Sequence, residues 1–146
     1  MATVRGCTFP ENLFYNVESN VWCRQETDGT VTLGMTAYAV SLAGQIVAFT
    51  PKAVGKHVDQ DRSVATVESG KWVGPVKAPV SGEVVAVNDA LDAQPGLAND
   101  DPYGVGWMVR MRPSDWDDEI VTLLTGEAAR AAFEAKMDAE GFGGCA

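Results

Sequence analysis

The sequence is poor in the residues that hold metal ions. Its 146 residues include one histidine, His57, and three cysteines, Cys7, Cys23 and Cys145. Zinc and iron–sulfur sites need more ligands of these types, at closer spacing, so we expect no metal centre. Wide spacings and an odd count are not typical of a disulfide framework either. We interpret all three cysteines as ordinary thiols.

The sequence also lacks a long apolar run and a basic cluster. No stretch approaches the length of a membrane span, and residues 1–12 contain no apolar signal segment, so we expect a cytoplasmic protein. The net charge of −9, from 20 acidic and 11 basic side chains, argues against a nucleic-acid partner. No catalytic triad is visible, and we expect a protein that is not an enzyme.

Short β-branched runs, separated by turn residues, make up most of the chain. They predict strands at 21–26, 30–34, 45–50, 63–68, 83–88 and 106–112. Asp28-Gly29 between the first two is typical of a two-residue hairpin loop. This spacing of strands favours a closed sandwich or barrel over βαβ units, and the length of 146 residues favours one domain covering 1–146.

Three segments read as helices. A short helix is predicted at 35–43, and another at 115–123 after Ser114. The last helix is predicted to begin at Thr125, with the threonine as its N-cap, and to end at Gly141. We therefore place the β core at about 13–112 and the C-terminal helices at about 115–140. The tail after Gly141 is predicted to be mobile.

The turn in residues 65–84, ATVESGKWVGPVKAPVSGEV, carries the strongest functional signal. A lysine at a hairpin tip is most often a solvated charge, but here Gly70 is expected to allow an unusual backbone conformation beside Lys71. Gly74-Pro75 is expected to close the turn, and Glu68 stands three residues before the lysine. An exposed amine on a rigid turn suits a modifying enzyme. It is expected to be a poor general base, because nothing in its neighbourhood is expected to desolvate it.

Four segments carry a resemblance to a known family. They are DGTVTLGMTAYA (28–39), VESGK (67–71), APVSGEVVAVNDAL (78–91) and NDDPYGVGWMVRM (99–111). Together they resemble the H protein of the glycine cleavage system, a lipoyl carrier with a barrel-sandwich hybrid fold. The resemblance extends over most of the chain, from Tyr15 to about Met137.

The resemblance implies a cofactor and its attachment point. The family carries lipoate on the lysine of a Glu-Ser-x-Lys sequence, and that lysine is Lys71 here. Glu68 is then the acidic residue that the lipoate-attaching enzyme recognises. Biotin carriers place methionines around their lysine, which Gly70 and Trp72 do not match. The lipoyl arm would reach ~14 Å from the backbone and end in a disulfide–dithiol couple.

Three segments depart from the glycine-cleavage pattern. Residues 20–22 are Asn-Val-Trp where the family has His-Glu-Trp, and residues 36–40 lose an acid and an amide. A cleft for a cationic aminomethyl group should be acidic, and these changes remove acidic character. The lysine flank, residues 70–75, resembles the lipoate-binding proteins of the heterodisulfide-reductase-like sulfur oxidation system. That likeness implies a sulfur-bearing cargo.

Three functions stay open at this point. The first is a monomeric sulfur carrier whose partners are the heterodisulfide-reductase-like complex and dihydrolipoamide dehydrogenase. The second is a glycine cleavage H protein that carries aminomethyl between glycine decarboxylase and aminomethyltransferase. The third is a thiol enzyme that uses Cys23 or Cys145.

Overall fold

The computed structural model describes residues 2–145, and most of its regular structure is β. The strands are short because glycine, proline, asparagine and aspartate interrupt the apolar runs. They are Ala2–Val4 (β1), Cys7–Phe9 (β2), Phe14–Asn16 (β3), Val21–Gln25 (β4), Val31–Met35 (β5), Ile46–Pro51 (β6), His57–Val58 (β7), Ser63–Ser69 (β8), Val73–Lys77 (β9), Gly82–Val87 (β10), Val109–Pro113 (β11) and Leu124–Thr125 (β12). The α-helices are Ala37–Ala43 (α1), Ala90–Ala93 (α2), Leu97–Asp100 (α3), Trp116–Glu119 (α4) and Gly126–Glu140 (α5).

The strands form antiparallel sheets around one large apolar cluster. A seven-stranded sheet has the order β12-β3-β4-β5-β11-β10-β7, and a three-stranded sheet has the order β6-β8-β9. β1 and β2 pair separately. Valine, leucine and methionine side chains of both larger sheets fill the cluster between them. The core is therefore that of a β-sandwich, as the strand spacing predicts.

All six predicted strands are present, with small shifts at their ends. The last one begins at Val109 rather than at 106, because residues 102–106 form a turn, which the Gly106 N–H closes by donating to the Asp101 carbonyl at 2.9 Å. The strands that the sequence did not predict span two to five residues. Such runs are too short for an alternating pattern to be recognised.

The predicted two-residue loop at Asp28-Gly29 is wrong. The Glu26 N–H donates to the Thr30 carbonyl at 2.8 Å, so three residues, 27–29, form the loop. Asp28 Oδ1 accepts hydrogen bonds from both the N–H and the hydroxyl of Thr30, and Gly29 has φ +86°. A three-residue hairpin with glycine in the left-handed region is the next most common solution.

The predicted helices are present with changed ends. α1 begins after Thr36, whose hydroxyl accepts a hydrogen bond from the Ala39 N–H at 3.1 Å. The segment predicted at 115–123 is α4 followed by one 3₁₀ turn. Thr125 precedes α5 but does not cap it with its side chain, because its hydroxyl donates to the Leu13 carbonyl at 2.7 Å instead. No helix within residues 2–145 is long and apolar enough to cross a membrane.

The prediction of a mobile tail is wrong, and so is the prediction of ordinary thiols for two of the three cysteines, whereas Cys23 is free and buried. Cys7 and Cys145 form a disulfide across a sequence separation of 138 residues. The Cys145 N–H donates to the Arg5 carbonyl at 2.9 Å, and the Arg5 guanidinium donates to the Phe142 carbonyl at 2.7 Å. The tail therefore lies fixed on the β1–β2 hairpin.

The same tail packs against α1 on the side of the helix that faces away from the main core. The Phe142 ring lies edge-on to Tyr38 of α1, with centroids 4.8 Å apart. Phe133 of α5 contacts Tyr38 as well. Because α1 lies between this aromatic cluster and the main core, its position is set from both sides.

The disulfide predicts a measurable contribution to stability. Reduction should lower the free energy of unfolding by about 2–4 kcal/mol, because it releases a constraint on the unfolded chain. Chemical denaturation with and without reductant measures this difference. The Cys145→Ser variant should unfold at the reduced midpoint under both conditions. Equal midpoints for the wild-type chain with and without reductant would contradict the pairing.

Candidate functional site

Lys71 lies at the exposed tip of the β8–β9 hairpin, as the sequence predicts. Gly70 and Lys71 are the two loop residues, and the Ser69 N–H donates to the Trp72 carbonyl at 2.7 Å to close the loop. Gly70 does not have a positive φ, so the expected unusual conformation beside the lysine is wrong. Gly74-Pro75 lies inside β9 rather than in the turn; β9 is an edge strand of its sheet, where proline is tolerated.

Ser69 ties the lysine loop to the end of α1. Its side chain is buried, because successive residues of β8 alternate between the core and solvent. The hydroxyl donates to the Ala43 carbonyl at 2.6 Å and accepts from the Lys71 N–H at 3.3 Å. Ala43 is the last residue of α1, whose final carbonyls have no partner within the helix. One hydroxyl therefore satisfies the helix end and orders the turn.

Gly44 leaves space for the stem of Lys71. It follows α1 with φ +86°, and Lys71 Cε lies 3.1 Å from the position that a Cβ on Gly44 would take. The Asn99 side chain holds this segment by donating to the Gly44 carbonyl at 2.9 Å and accepting from the Ile46 N–H at 2.8 Å. The lysine stem thus lies along fixed backbone while its end remains accessible.

Glu68 lies on the outer face of β8, directly opposite Val73 of β9. The alternation that buries Ser69 exposes Glu68. Within residues 2–145, Glu68 and Lys71 form no ion pair, so the carboxylate is free to meet an external partner. The structure places both sequence-predicted residues on one hairpin, one at its tip and one on its side.

A cleft of about 480 Å³ opens beside Lys71. Its walls are mostly apolar, and its lining contains no aspartate or glutamate. The lining residues are Ser19, Asn20, Val21, Met35, Ala39, Leu42, Ala43, Lys71, Trp72, Pro75 and Val76. Val21 and Ala39 come from two of the three segments in which the sequence departs from the glycine-cleavage pattern, those at 20–22 and 36–40. The loss of acidic character that those departures predict therefore falls on the wall of this cleft.

Trp72 forms part of that wall by lying across Gly74. A Cβ on Gly74 would collide with the six-membered ring of the indole. Trp72 is 39% exposed, and its ring lines the cleft next to the lysine. The Trp72 ring can take this position only because residue 74 is glycine. The sequence analysis noted both residues beside Lys71 but did not predict this contact.

The cysteines do not form a nucleophilic site. Cys145 is bonded to Cys7, and Cys23 lies in the core, where burial raises the pKa of its thiol to about 12. A thiol with that pKa is almost fully protonated at neutral pH. His57 is exposed and lies 3.0 Å from Asp59 rather than beside Cys23. The structure gives no support to a thiol enzyme.

The fold and the lysine hairpin together indicate the class of protein to which this chain belongs. A β-sandwich that presents an accessible lysine at a hairpin tip, beside an apolar cleft, is a carrier domain of the kind that holds a prosthetic group. The crystal structure of a glycine cleavage system H protein from Mycobacterium marinum matches this chain with a TM-score of 0.74 and 31% identity. The match covers 84% of this chain and 97% of that one, which confirms the barrel-sandwich hybrid prediction.

Sequence comparisons identify the family. The family model described as glycine cleavage H-protein matches residues 13–136. Glycine cleavage system H protein 5 of Aquifex aeolicus is 45% identical over 145 residues, covering 97% of each chain. Probable glycine cleavage system H protein 2 of Sulfurisphaera tokodaii is 42% identical over 142 residues, covering 96% of this chain and 95% of its own. The chain belongs to the glycine cleavage H-protein family.

Membership of this family fixes the general role. Its members are non-catalytic carriers with lipoate attached covalently to a lysine. They work with the enzymes of glycine cleavage and with a lipoate-attaching enzyme. The predictions of a non-enzymatic chain and of lipoate as its cofactor are thereby confirmed.

The glycines around Lys71 give a matched pair of variants. Gly74→Ala should displace the Trp72 ring, because no space exists for the added methyl group, whereas the Cβ of Gly70→Ala meets no atom within 4 Å. Tryptophan emission should shift to longer wavelength in Gly74→Ala and stay at the wild-type position in Gly70→Ala. Trp72→Phe supplies the background from the other tryptophans. Identical spectra for the two alanine variants would contradict the described packing.

Proposed function

We propose that this chain carries lipoate on Lys71. The observation that supports the proposal is the position of Lys71, at the accessible two-residue tip of the hairpin. The stem of the lysine side chain lies beside Gly44, at the rim of an apolar cleft. Lys77, the next lysine along the chain, is the last residue of β9 and is paired with Ser63 of β8 rather than lying at a hairpin tip. A lysine in a ladder is harder for an attaching enzyme to reach than one at a tip.

The residues around Lys71 fit the group. Lipoate is an apolar chain that ends in a dithiolane, and the cleft is open at the lysine and walled by Leu42, Trp72 and other apolar side chains. When attached, lipoate supplies a two-electron disulfide–dithiol couple. The protein contributes a rigid turn through Ser69 and a place in which the arm is kept from water. It contributes no acid or base to the cleft lining.

Two cargoes are supported by different observations. The relatives reported above are named for glycine cleavage, which favours an aminomethyl cargo, with glycine decarboxylase and aminomethyltransferase as partners. The second candidate is a sulfur-bearing cargo delivered to a heterodisulfide-reductase-like complex, with dihydrolipoamide dehydrogenase as a further partner. It is favoured by the cleft, because no carboxylate lines it to balance a cationic group. The cytoplasmic location, the single domain and the monomeric state remain predictions.

Attachment at Lys71 is tested by mass. Incubation with lipoate, ATP and a lipoate-attaching enzyme should add one lipoyl group to the wild-type chain and to Lys77→Arg, and none to Lys71→Arg. Intact-mass spectrometry reads the result. An adduct that persists in Lys71→Arg would overturn the assignment.

Recognition through Glu68 is tested in the same reaction. Glu68→Gln should slow attachment about tenfold, the effect of losing one hydrogen bond to a charged group. Glu83→Gln removes the same charge from another exposed strand position and should react at the wild-type rate. Equal rates for Glu68→Gln and Glu83→Gln would remove Glu68 from the recognition site.

The cargo is tested with glycine decarboxylase. Transfer of radiolabel from the methylene carbon of glycine to the lipoylated chain should be slow, because the cleft holds no counter-charge. Leu42→Glu places a carboxylate at the cleft rim and should raise transfer about two- to fivefold, the effect of a partly exposed ion pair. Val47→Glu adds the same charge outside the cleft lining and should change nothing. Fast transfer to the wild-type chain would identify the cargo as aminomethyl. No transfer to any of the variants would exclude aminomethyl as the cargo.

A further inference from the structure

The Cys7–Cys145 disulfide joins one inaccessible and one partly accessible residue. Cys7 is fully buried at the start of β2. Cys145 is only partly buried, at the edge of the aromatic cluster that contains Tyr38 and Phe133. A thiolate from solution can therefore approach the bond from the side of Cys145 alone. Disulfides that are exposed exchange with thiols more readily than those that lie wholly in a core.

Hydrogen bonds help to bring the two cysteines together, so their proximity does not depend on the disulfide alone. Arg5 and Gly6 form the two-residue turn of the β1–β2 hairpin, with φ of +49° and +80°, the geometry that such turns favour. Cys7 follows this turn directly, and the Cys145 N–H donates to the Arg5 carbonyl at 2.9 Å. Reduction would leave both thiols near each other, so the bond can form again.

Glycine on both sides permits this approach. A Cβ on Gly6 would lie 2.6 Å from the Cys145 carbonyl oxygen, and a Cβ on Gly144 would lie 2.8 Å from the Arg5 carbonyl oxygen. Gly144 also has φ +141°, whereas a Cβ on Gly143 would meet no atom within 4 Å. The tail and the hairpin thus meet backbone to backbone, at two positions where only glycine fits.

The disulfide also contacts the helix that forms a wall of the cleft. Cys145 Sγ lies 3.6 Å from the carbonyl oxygen of Ala37, the first residue of α1. Phe142 of the same tail lies edge-on to Tyr38, the next residue of the helix, while other residues of α1 line the cleft. The bond and its tail therefore belong to the packing that positions α1.

We propose that the Cys7–Cys145 disulfide is a thiol–disulfide exchange site that a vicinal dithiol of the dihydrolipoyl type reduces. One thiolate of the dithiol attacks the Cys145 sulfur; the sulfur–sulfur bond breaks, and the electron pair leaves on the Cys7 sulfur, which takes up a proton. The second thiol of the dithiol then loses its proton and attacks the dithiol sulfur that is bound to Cys145. Cys145 leaves as a thiolate and is protonated, and the dithiol closes into a dithiolane. The disulfide gains the two electrons that the dithiol loses.

Two considerations favour a vicinal dithiol over a single thiol. Its second sulfur releases Cys145 by ring closure within the mixed disulfide, so no second molecule must reach a partly buried sulfur. The family to which the chain belongs carries lipoate, whose reduced form is such a dithiol. The predicted cytoplasmic location agrees, because disulfides there are usually redox-active rather than structural. The proposal does not depend on lipoate at Lys71, since a free dihydrolipoyl compound offers the same pair of thiols.

Redox titration tests the site on the folded chain. The oxidised chain is equilibrated with dihydrolipoamide and lipoamide at a series of ratios in native buffer, quenched with acid and alkylated in denaturant. Intact mass should show one modified cysteine, Cys23, at high lipoamide and three at high dihydrolipoamide, with a reversible midpoint between them. Tryptophan emission that keeps its position shows that the chain stays folded. A chain that keeps one modified cysteine at every ratio, and releases the pair only in denaturant, would overturn the proposal.

The side of attack is tested with two single variants. Cys7→Ser leaves the partly exposed Cys145 as a thiol, and Cys145→Ser leaves the buried Cys7. The thiol of Cys7→Ser should react with a dipyridyl disulfide at least about tenfold faster than that of Cys145→Ser, because access governs the rate of exchange. Cys23 is present in both variants and supplies a common background. Equal rates, or a faster reaction at Cys7, would contradict attack at Cys145.

Two neighbouring glycines of the tail give a matched pair for the same titration. Gly144→Ala forces a side chain against the Arg5 carbonyl at a positive φ, so it should move the redox midpoint towards the dithiol form about tenfold, the effect of one strained residue. Gly143→Ala adds its methyl group in open space and should keep the wild-type midpoint. Identical midpoints for the two variants would contradict the described approach of the tail.

The source of the dithiol is tested with a loaded donor. Cys145→Ser has no disulfide, so it can be lipoylated, reduced and mixed with the unmodified, oxidised wild-type chain, which differs from it in mass. Reduction of the wild-type chain would assign the site to the arm of another copy, and reduction by free dihydrolipoamide alone would assign it to a small dithiol. If no arm can be attached at Lys71, the proposed function fails, while the titration with the free compound still decides the exchange site. No reduction from either source would overturn the exchange site and leave the carrier role intact.

Discussion

The hydrogen bond from the Ser69 hydroxyl to the Ala43 carbonyl holds the functional region together. It joins two segments that are 26 residues apart in sequence at a distance of 2.6 Å. One side of this contact is the two-residue loop that presents Lys71, and the other is the end of α1, which forms a wall of the cleft. It adds a direct tie between the loop and the helix end to the pairing of β6 with β8, in which Ile46 lies opposite Ser69. A buried hydroxyl can do this because it donates to the helix end and accepts from the loop at once.

The composition of the cleft bears on what the chain can carry. Apolar walls suit the arm itself, which the carriers of this family share. An unmatched charge in a partly desolvated site is costly, and no carboxylate lines this cleft. That composition is the reason why a sulfur-bearing cargo stands as a candidate beside aminomethyl, while the fold and the lysine hairpin set the role of carrier.

Sequence reasoning predicted what depends on local pattern. The β-branched run predicted a strand at 63–68, one residue short of the end of β8, and the turn residues around it located the tip at Lys71. Sequence reasoning failed where distant segments meet. The partners Cys7 and Cys145 are 138 residues apart, and no local feature records their contact.

The side-chain geometry at the site could not be predicted either, because it also depends on contacts that the local sequence pattern does not record. The expected special backbone at Gly70 is absent, because the loop closes with ordinary dihedrals. The glycine that matters sterically is Gly74, which accommodates an indole two residues away. The contact of Lys136 with Asn20 spans 116 residues. Only the altered residues 20–22 signalled that this end of the cleft differs from the family pattern.

Amide spectra of the unmodified and lipoylated chains test whether the lysine, α1 and the turn before β4 form one site for the arm. We expect shifts at the tip and also at Asn20, Ala39 and Gly44, whose environments change when the arm enters the cleft. Shifts confined to residues 70–72 would show an arm that stays in solvent and would contradict a shared site.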